Sequence, residues 1–441
     1  MKIIQAVGWY YPDSVGGTEV YVAALSRRLR DAGHDVVVAA PDPRHLGERS
    51  YEHEGIPVYR YPIPAHPTRA EAQGSVGVRG TERFHGWMHA QRPDVVHVHT
   101  FVTGLGLPEL HAAKAAGARV IVTTHSSSLG YLCQRGTMMR WGTHLCDGVC
   151  AGFKCAACVG QQRGLPQPLA SAVAALPLSV ARVAARIPGR AGTALGMRQL
   201  IAHNQQRQRQ VLSAADRFVV LTRWALDAVA ANGAPLDRLA LNRLGMSHTA
   251  VTRKPPPDQQ PSQPPVRIGY VGRYDPIKGV FDLARAIASL PPEVPVCVEF
   301  RGPLNDEADR GRADDVRRLV AGDRRVEFAA SVDAREVPSV LARLDLLCCP
   351  AVCVEGGPTV AIESHAVGTP VIGTRIGGLA ELVTDGVNGR LVPPGDWRAL
   401  AGVLREVAAD PSATVDHWRR HLPAARTMDA VAADYLALYA A

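Results

Sequence analysis

The 441-residue sequence contains no run of about 18 uninterrupted apolar residues, so no transmembrane helix of ordinary length is expected. Its opening, Met1-Lys-Ile-Ile-Gln-Ala-Val-Gly8, lacks a basic start, a long apolar stretch and a small-residue cleavage site. It reads as a strand entering a Gly-rich loop rather than as a signal peptide, which points to a cytoplasmic protein. Lysine occurs only five times, so the net charge of +8 is carried almost wholly by arginine. Aromatic residues make up 5%, and no concentrated basic run is interleaved with them, which argues against a nucleic-acid partner. No Gly-x-Gly-x-x-Gly follows an expected first strand, which disfavours a dinucleotide-dependent oxidoreductase.

What is present is a soluble globular balance of 46% hydrophobic and 20% charged residues. A chain of this length exceeds one ordinary core, so two or three domains are expected. Ile3-Ile4, Val36 to Val38, Val95 to Val98 and Val120 to Val122 read as buried strands, with a helix from Thr18 to Ala32 between the first two. Strands alternating with helices predict a parallel, doubly wound α/β sheet. The rhythm breaks from about 130 to 200, in a Cys-rich and then Ala/Val/Arg-rich insertion, and returns at Arg217 to Leu221. Six prolines between Thr252 and Pro265 mark a linker. A second series starts at Val266 and runs through Val298, Val326, Leu344 to Cys349 and Pro370 to Gly373. The expected division is therefore 1–251, a linker at 252–265, a second domain at 266–415, and a C-terminal helix within 416–441 that returns to the first domain. Two such halves imply a cleft with ligands at the C-terminal ends of the strands.

The chemistry-bearing motifs fall at those strand ends. Glu355 and Glu363 bracket Gly356-Gly357-Pro358-Thr359-Val-Ala-Ile, just after the strand-like Asp345 to Pro350. The first acid is expected at a strand-to-helix turn and the second about two helical turns on, near the same face. One carboxylate can reach a sugar hydroxyl and the other a ribose, while amides at the helix start hold a diphosphate. The bland alternative is a pair of ordinary helix acids, one of them favouring the helix dipole. Gly272-Arg273 and Lys278-Gly279 flank the end of the second domain's first strand, where two cations can neutralise a leaving diphosphate. As solvated surface cations they would do nothing of the kind. Gly16-Gly17, between the first strand and first helix, lets a phosphate approach the backbone, or serves as a plain turn. His125 follows a strand and is placed for a sugar or phosphate contact, or for a structural role.

Together these residues make the chain resemble the family 4 retaining glycosyltransferases of the GT-B fold. The resemblance rests on Gly16-Gly17, Pro93 to His99, His125, Ala214 to Val220, Gly272-Arg273 with Lys278-Gly279, the Glu355/Glu363 pair, Gly377-Gly378 with Glu381, and Asp385 to Gly389. It implies a fold of two Rossmann-like domains and transfer of a sugar from a nucleotide diphosphate-sugar with retention, in cell-surface glycan, polysaccharide or glycolipid assembly. By position, Arg273 and Lys278 would hold the diphosphate and Glu363 the donor ribose. Glu355 would contact the transferred sugar, with His125 beside it. Gly16, Gly17, Gly272 and the backbone of Gly356, Gly357, Pro358 and Thr359 would complete the donor cradle. No Asp-x-Asp stands where a metal-bound diphosphate would need one, so no cofactor is expected for catalysis. The acceptor is a sugar, a lipid-linked species or a small molecule. A non-catalytic sugar-binding or zinc-dependent interaction protein on the same scaffold is the alternative.

Five cysteines, Cys133, Cys146, Cys150, Cys155 and Cys158, lie within 26 residues, and Cys155-Ala-Ala-Cys158 has the spacing of a metal knuckle. In a reducing compartment this suggests a structural zinc on Cys133, Cys146, Cys155 and Cys158, with Cys150 or His144 as substitute, or else a set of reduced thiols. A subset of the resembling glycosyltransferases carries such an insertion. From Leu169 to Ile187 the chain is apolar, with Arg182, Arg186 and Arg190 four apart. This spacing predicts one cationic helical face, suited to peripheral contact with a membrane or to an ordinary lid helix.

Overall fold

The computed structural model describes residues 1–14, 16–247 and 253–441. The expected boundary at 251/252 lies outside them. The chain forms two compact units. The first comprises Met1–Trp141, Cys146–Ser247 and Met428–Ala441, and the second Gly142–Leu145 and His248–Thr427.

In the first unit the valine-rich runs become the strands of one sheet. They are β1 (Lys2–Ala6), β2 (Asp35–Asp42), β3 (Arg49–His53), β4 (Ile56–Pro62), β5 (Val95–Val98) and β6 (Arg119–Thr123). Two-residue strands β7 (Met139–Arg140) and β8 (His144–Leu145) fall in the Cys-rich segment, and β9 (Arg217–Val220) and β10 (Leu239–Leu241) complete the main sheet. Its order is β10-β9-β6-β5-β1-β2-β4-β3, parallel except for the β3/β4 pair. Ile3, Ile4, Val36, Val38, Val96, Val120 and Val122 are buried, as strands covered on both faces require. Strand order reverses at β1, which lies between β2 and β5, so the crevice of this sheet opens at the C-terminal ends of β1 and β5.

The Ala/Val/Arg stretch is not one helix. It folds as Gln167–Ala174, Leu178–Ala184 and Gly189–Leu195, and each is preceded by a proline, Pro166, Pro177 or Pro188. A proline ring is compatible with a helix start but not its interior. The first two helices bend by 103° at their junction. Arg182 and Arg190 therefore sit on different helices with Arg186 between them, and the expected single arginine face does not form. Among the described residues no single helix is long and apolar enough to cross a membrane.

The second unit is a wholly parallel sheet of β11 (Val266–Val271), β12 (Val296–Arg301), β13 (Val326–Ala329), β14 (Leu346–Cys349), β15 (Val371–Thr374) and β16 (Gly389–Val392), in the order β13-β12-β11-β14-β15-β16. Its core gathers Val266, Ile268, Leu283, Ile287, Val298, Phe300, Leu346, Leu404 and Trp418. The order reverses at β11, between β12 and β14. The Pro-rich segment from residue 253 to Pro265 contains no helix or strand and is held to this unit. Buried Asp416 accepts from the amide of Ser262 at 3.1 Å and from its hydroxyl at 2.8 Å, and Arg419 donates to the carbonyl oxygens of Pro255 and Gln260. The last helix, Met428–Ala440, belongs to the first unit and packs on the helix Gly17–Asp31.

Candidate functional site

In the second unit the reversal point brings two loops together. After β11 the chain runs through Gly272-Arg273 into a single 3₁₀ turn, Pro276–Lys278, which Asp275 caps by accepting from the amide of Ile277. Gly279 follows with φ +72°, and a Cβ there would lie 1.8 Å from the carbonyl oxygen of Pro350. Only glycine permits that approach. The amide of Val352 then donates to the carbonyl of Ile277 at 2.8 Å, which locks the loop after β11 to the loop after β14. Lys278 is thereby set against Glu355, with its ammonium donating to the Glu355 carboxylate. Burial alone would depress Lys278, but the charge and hydrogen bond of Glu355 outweigh it and raise it above its ordinary value. Arg273 is more exposed, and Asp275 is its neighbour only at 3.9 Å.

Glu355 lies in the loop, not on the helix, which spans Thr359–Ala366 and begins after Pro358. The two acids therefore do not share a helical face, a correction to the sequence reading. The prolyl residue at the start and the preceding glycines delay the helix by a full turn. Gly357 has φ +110°. Gly377 (φ +54°) and Gly378 support this loop from beyond β15, because Cβ atoms on them would meet the Glu355 carbonyl oxygen at 2.7 Å and the Gly357 amide nitrogen at 2.4 Å. The Gly378 amide donates to the Glu355 carbonyl at 2.8 Å. Cys353, not singled out in the sequence, is buried beside Glu355 with its sulfur 3.8 Å from Oε1. Glu363 sits on the helix at 6% exposure, and burial pushes its carboxyl up to about 8. The second unit thus sets the loop carrying Gly272, Arg273 and Lys278 against the loop carrying Glu355, Gly356, Gly357 and Pro358, beyond the ends of β11 and β14, and Thr359 and Glu363 lie on the helix that follows.

In the first unit, Gly16 is the N-cap residue of the helix Gly17–Asp31, with extended backbone. A Cβ on Gly17 would meet nothing within 4 Å, so packing inside the unit does not demand glycine there, and the helix start is left open. Glu19 in the first turn is buried and accepts from the hydroxyl of Ser14 at 2.8 Å. His125 follows β6. Its Nε2 is 3.1 Å from Nδ1 of His99, and its ring meets the edge of Tyr21 at a centroid distance of 4.7 Å. Burial holds His125, His97 and His99 all below the ordinary histidine range, so all three are neutral at physiological pH. The sequence signal available for this cluster is His97-x-His99, alternate residues at the end of β5 and just beyond it. Its partners Gln5, Thr123, Tyr435 and Tyr439 left no local signal.

The five clustered cysteines line one pocket with Leu132, Arg135 and Lys154. Their sulfurs do not converge equally. Cys150 donates to Cys155, which raises the Cys150 thiol and lowers that of Cys155 to about 6. Cys158 is engaged elsewhere, accepting from the amide of Trp141 at 3.3 Å and lying 3.9 Å from the carbonyl of Met139. Among the described residues, no group of three or more His, Cys, Asp or Glu is arranged to hold a metal ion.

The family described as Glycosyl transferases group 1 matches residues 265–410, and the Glycosyl transferase 4-like domain matches residues 16–148. Glycogen synthase of Mycobacterium tuberculosis is 26% identical over 437 residues, covering 94% of this chain and 87% of that protein. Among solved structures, sucrose-phosphate synthase from Thermosynechococcus elongatus superposes with a TM-score of 0.64 at 19% identity, over 100% of this chain and 98% of its own. Anabaena Alr3699/HepE in complex with UDP-glucose gives 0.60 at 14% identity, over 99% of this chain and 100% of its own. Two parallel α/β sheets, two matching family domains and these relatives lead to one conclusion: the chain belongs to the GT-B glycosyltransferases of the family 4 type.

Proposed function

We propose that this glycosyltransferase moves a sugar from a nucleoside diphosphate-sugar to an acceptor with retention, and without a metal at the donor site. The observation that carries the reading is the Lys278–Glu355 pair at the point where strand order reverses, beside a helix start opened by Gly356 and Gly357. The hard step is separation of an oxocarbenium-like sugar from a departing diphosphate. Lys278 and Arg273 supply positive charge for that leaving group, and amides at Thr359 add the partial charge of a helix start. With the donor bound, Lys278 turns from Glu355 towards phosphate, and Glu355 becomes free to orient sugar hydroxyls. Glu363, protonated in its buried place, both donates to and accepts from a ribose diol. In the first unit, Gly17 leaves a helix start open to an anionic group, and His125 is placed to contact a sugar hydroxyl. Retention follows if the acceptor attacks the face the leaving group departs from, with a phosphate oxygen taking its proton.

The acceptor in this reading is a sugar or lipid-linked species met at a membrane surface. Leu169, Val180 and Val183 on the proline-broken helices and Ile187 between them are 46–65% exposed, in a stretch with exposed Arg182, Arg186 and Arg190. No acidic residue occurs between Asp147 and Asp216, so nothing in that stretch opposes an anionic headgroup layer. The donor reading is tested by calorimetry with a panel of nucleoside diphosphate-sugars. Wild type should bind at least one, and Lys278→Ala should bind it more weakly. Binding of none, together with no hydrolysis or transfer, would end the enzyme reading.

A further inference from the structure

The first unit carries a buried hydrogen-bond chain that ends on His125. Thr123 on β6 and Tyr435 on the last helix face each other, Oγ1 to hydroxyl, at 2.9 Å. Thr123 Oγ1 is also 2.7 Å from Nε2 of His97. Nδ1 of His97 is 2.7 Å from the hydroxyl of Tyr439, which accepts from Nε2 of Gln5 at 3.3 Å. Oε1 of Gln5 is 2.6 Å from Nε2 of His99, and Nδ1 of His99 meets Nε2 of His125. Gln5, His97 and His99 are at most 1% exposed, and Tyr435 and Tyr439 are buried too, so no solvent interrupts the sequence.

Each link constrains the next. A neutral imidazole has one donor and one acceptor nitrogen, and a carboxamide has one end of each kind. Gln5 turns its NH₂ to Tyr439, so its oxygen faces His99, and Nε2 of His99 must carry the hydrogen. Nδ1 of His99 is then an acceptor, and Nε2 of His125 must be the donor. On the other side of Gln5, the Tyr439 hydroxyl already accepts from the amide. Its own hydrogen goes to Nδ1 of His97, whose Nε2–H points at Thr123. The opposite polarity requires Gln5 to flip and every hydrogen to reverse together. The single tyrosine oxygen therefore couples the two halves of the chain.

We propose that Tyr439 and Gln5 are positioning residues that hold His125 as its Nε2–H tautomer, so that Nδ1 is the atom it offers to a ligand, as an acceptor for a sugar hydroxyl. This rests on the reading of His125 as a sugar contact. The last helix, more than 300 residues away in sequence, is thereby part of the machinery that aims His125. It is fixed in place by the Asn242 side chain donating to the Val431 carbonyl at 3.2 Å and by Arg28 paired with Asp429 at 3.2 Å.

The test is long-range ¹⁵N–¹H NMR of histidine-labelled protein without donor or acceptor, with the His125 signals assigned by their loss in His125→Asn. Wild type should show one His125 tautomer, with hydrogen on Nε2. Tyr439→Phe keeps the ring and removes only the coupling oxygen, and Gln5→Leu keeps the shape without the amide. In either variant that folds, the His125 pattern should move to the Nδ1–H form or to an exchange average. kcat for transfer should fall about 10-fold while the donor KM stays within twofold, since a 10-fold change is about 1.4 kcal/mol of orientation. A wild-type His125 protonated on Nδ1, or an unchanged Nε2–H pattern in the variants, overturns the proposal. The NMR result needs no turnover, so it stands or falls separately from the transferase reading.

Discussion

Glu363→Gln isolates the energetic cost of one buried acid. Burial moves the carboxyl from 4.5 to about 8 at 6% exposure. Below 4.5 it is protonated in both folded and unfolded chains, and it contributes no pH dependence. Between 4.5 and about 8 the unfolded chain has released the proton and the folded chain retains it. The folded state therefore binds more protons, and stability falls as pH rises through this window. Above about 8 both states are ionised and the loss is complete. At about 1.4 kcal/mol per pH unit the full window amounts to roughly 5 kcal/mol, of which roughly 3 kcal/mol is already lost at neutral pH. Glutamine stays neutral throughout, so the variant lacks this slope. The assay is pulse proteolysis in urea at several pH values from 5 to 8, following fragments from the second unit, since two units need not unfold together. The stability of Glu363→Gln relative to wild type should rise across the window. Parallel pH profiles for the two proteins would refute the argument. Donor binding supplies a further check: the amide cannot be ionised, so the pH dependence of donor affinity attributed to Glu363 should vanish.

Lys278→Ala removes the cation nearest the expected leaving group, and kcat for transfer should drop about 10²–10³-fold, measured by nucleoside diphosphate release. Gly279→Ala places a Cβ 1.8 Å from the Pro350 carbonyl at φ +72°, so the midpoint of thermal unfolding should fall by at least roughly 5 °C in calorimetry. Asp416→Ala leaves the guanidinium of Arg419 buried without its 3.2 Å carboxylate, which should cost about 3 kcal/mol and expose the segment around Gln260 to limited proteolysis. Val183→Asp with Arg186→Glu should abolish co-sedimentation with anionic phosphatidylglycerol vesicles at low salt, while wild type pellets with them and not with neutral vesicles. Equal sedimentation of wild type and variant would dismiss the membrane surface.

The sheets were legible because their signal is local. Val36 to Val38, Val95 to Val98 and Val120 to Val122 are short apolar runs between turn residues, and each became a buried parallel strand. The positions of the loops after β11 and β14 were legible for the same reason, since glycines and charged residues at strand ends report on a few neighbouring positions. Spacing misled where backbone breaks intervened. Arg182, Arg186 and Arg190 kept a helical interval, but Pro188 starts a new helix between the last two. Glu355 was expected at the turn before the helix and lies there, but the helix starts only after Pro358, so the expectation that it shares a face with Glu363 fails. The interactions that no local pattern carries are those between distant segments. Tyr439 meets His97 and Gln5 only because the last helix belongs to the first unit, and nothing in its own neighbourhood announces a hydrogen-bond partner. The cysteine interval gave five thiols in one pocket but not the direction of their sulfurs, which pairs Cys150 with Cys155 and turns Cys158 to the backbone of Trp141.

If the groups around β11 and β14 drive transfer from a nucleoside diphosphate-sugar, their removal must abolish product formation. The most direct measurement incubates wild type, Lys278→Ala and Glu355→Gln with a panel of such donors and sugar or lipid-linked acceptors, with mass spectrometry of the products and NMR of the new anomeric centre. Wild type should give a glycosylated product with the donor's own anomeric configuration, unaffected by chelator, and both variants should give strongly diminished product. An inverted product, dependence on added metal, or undiminished transfer by Lys278→Ala would contradict it.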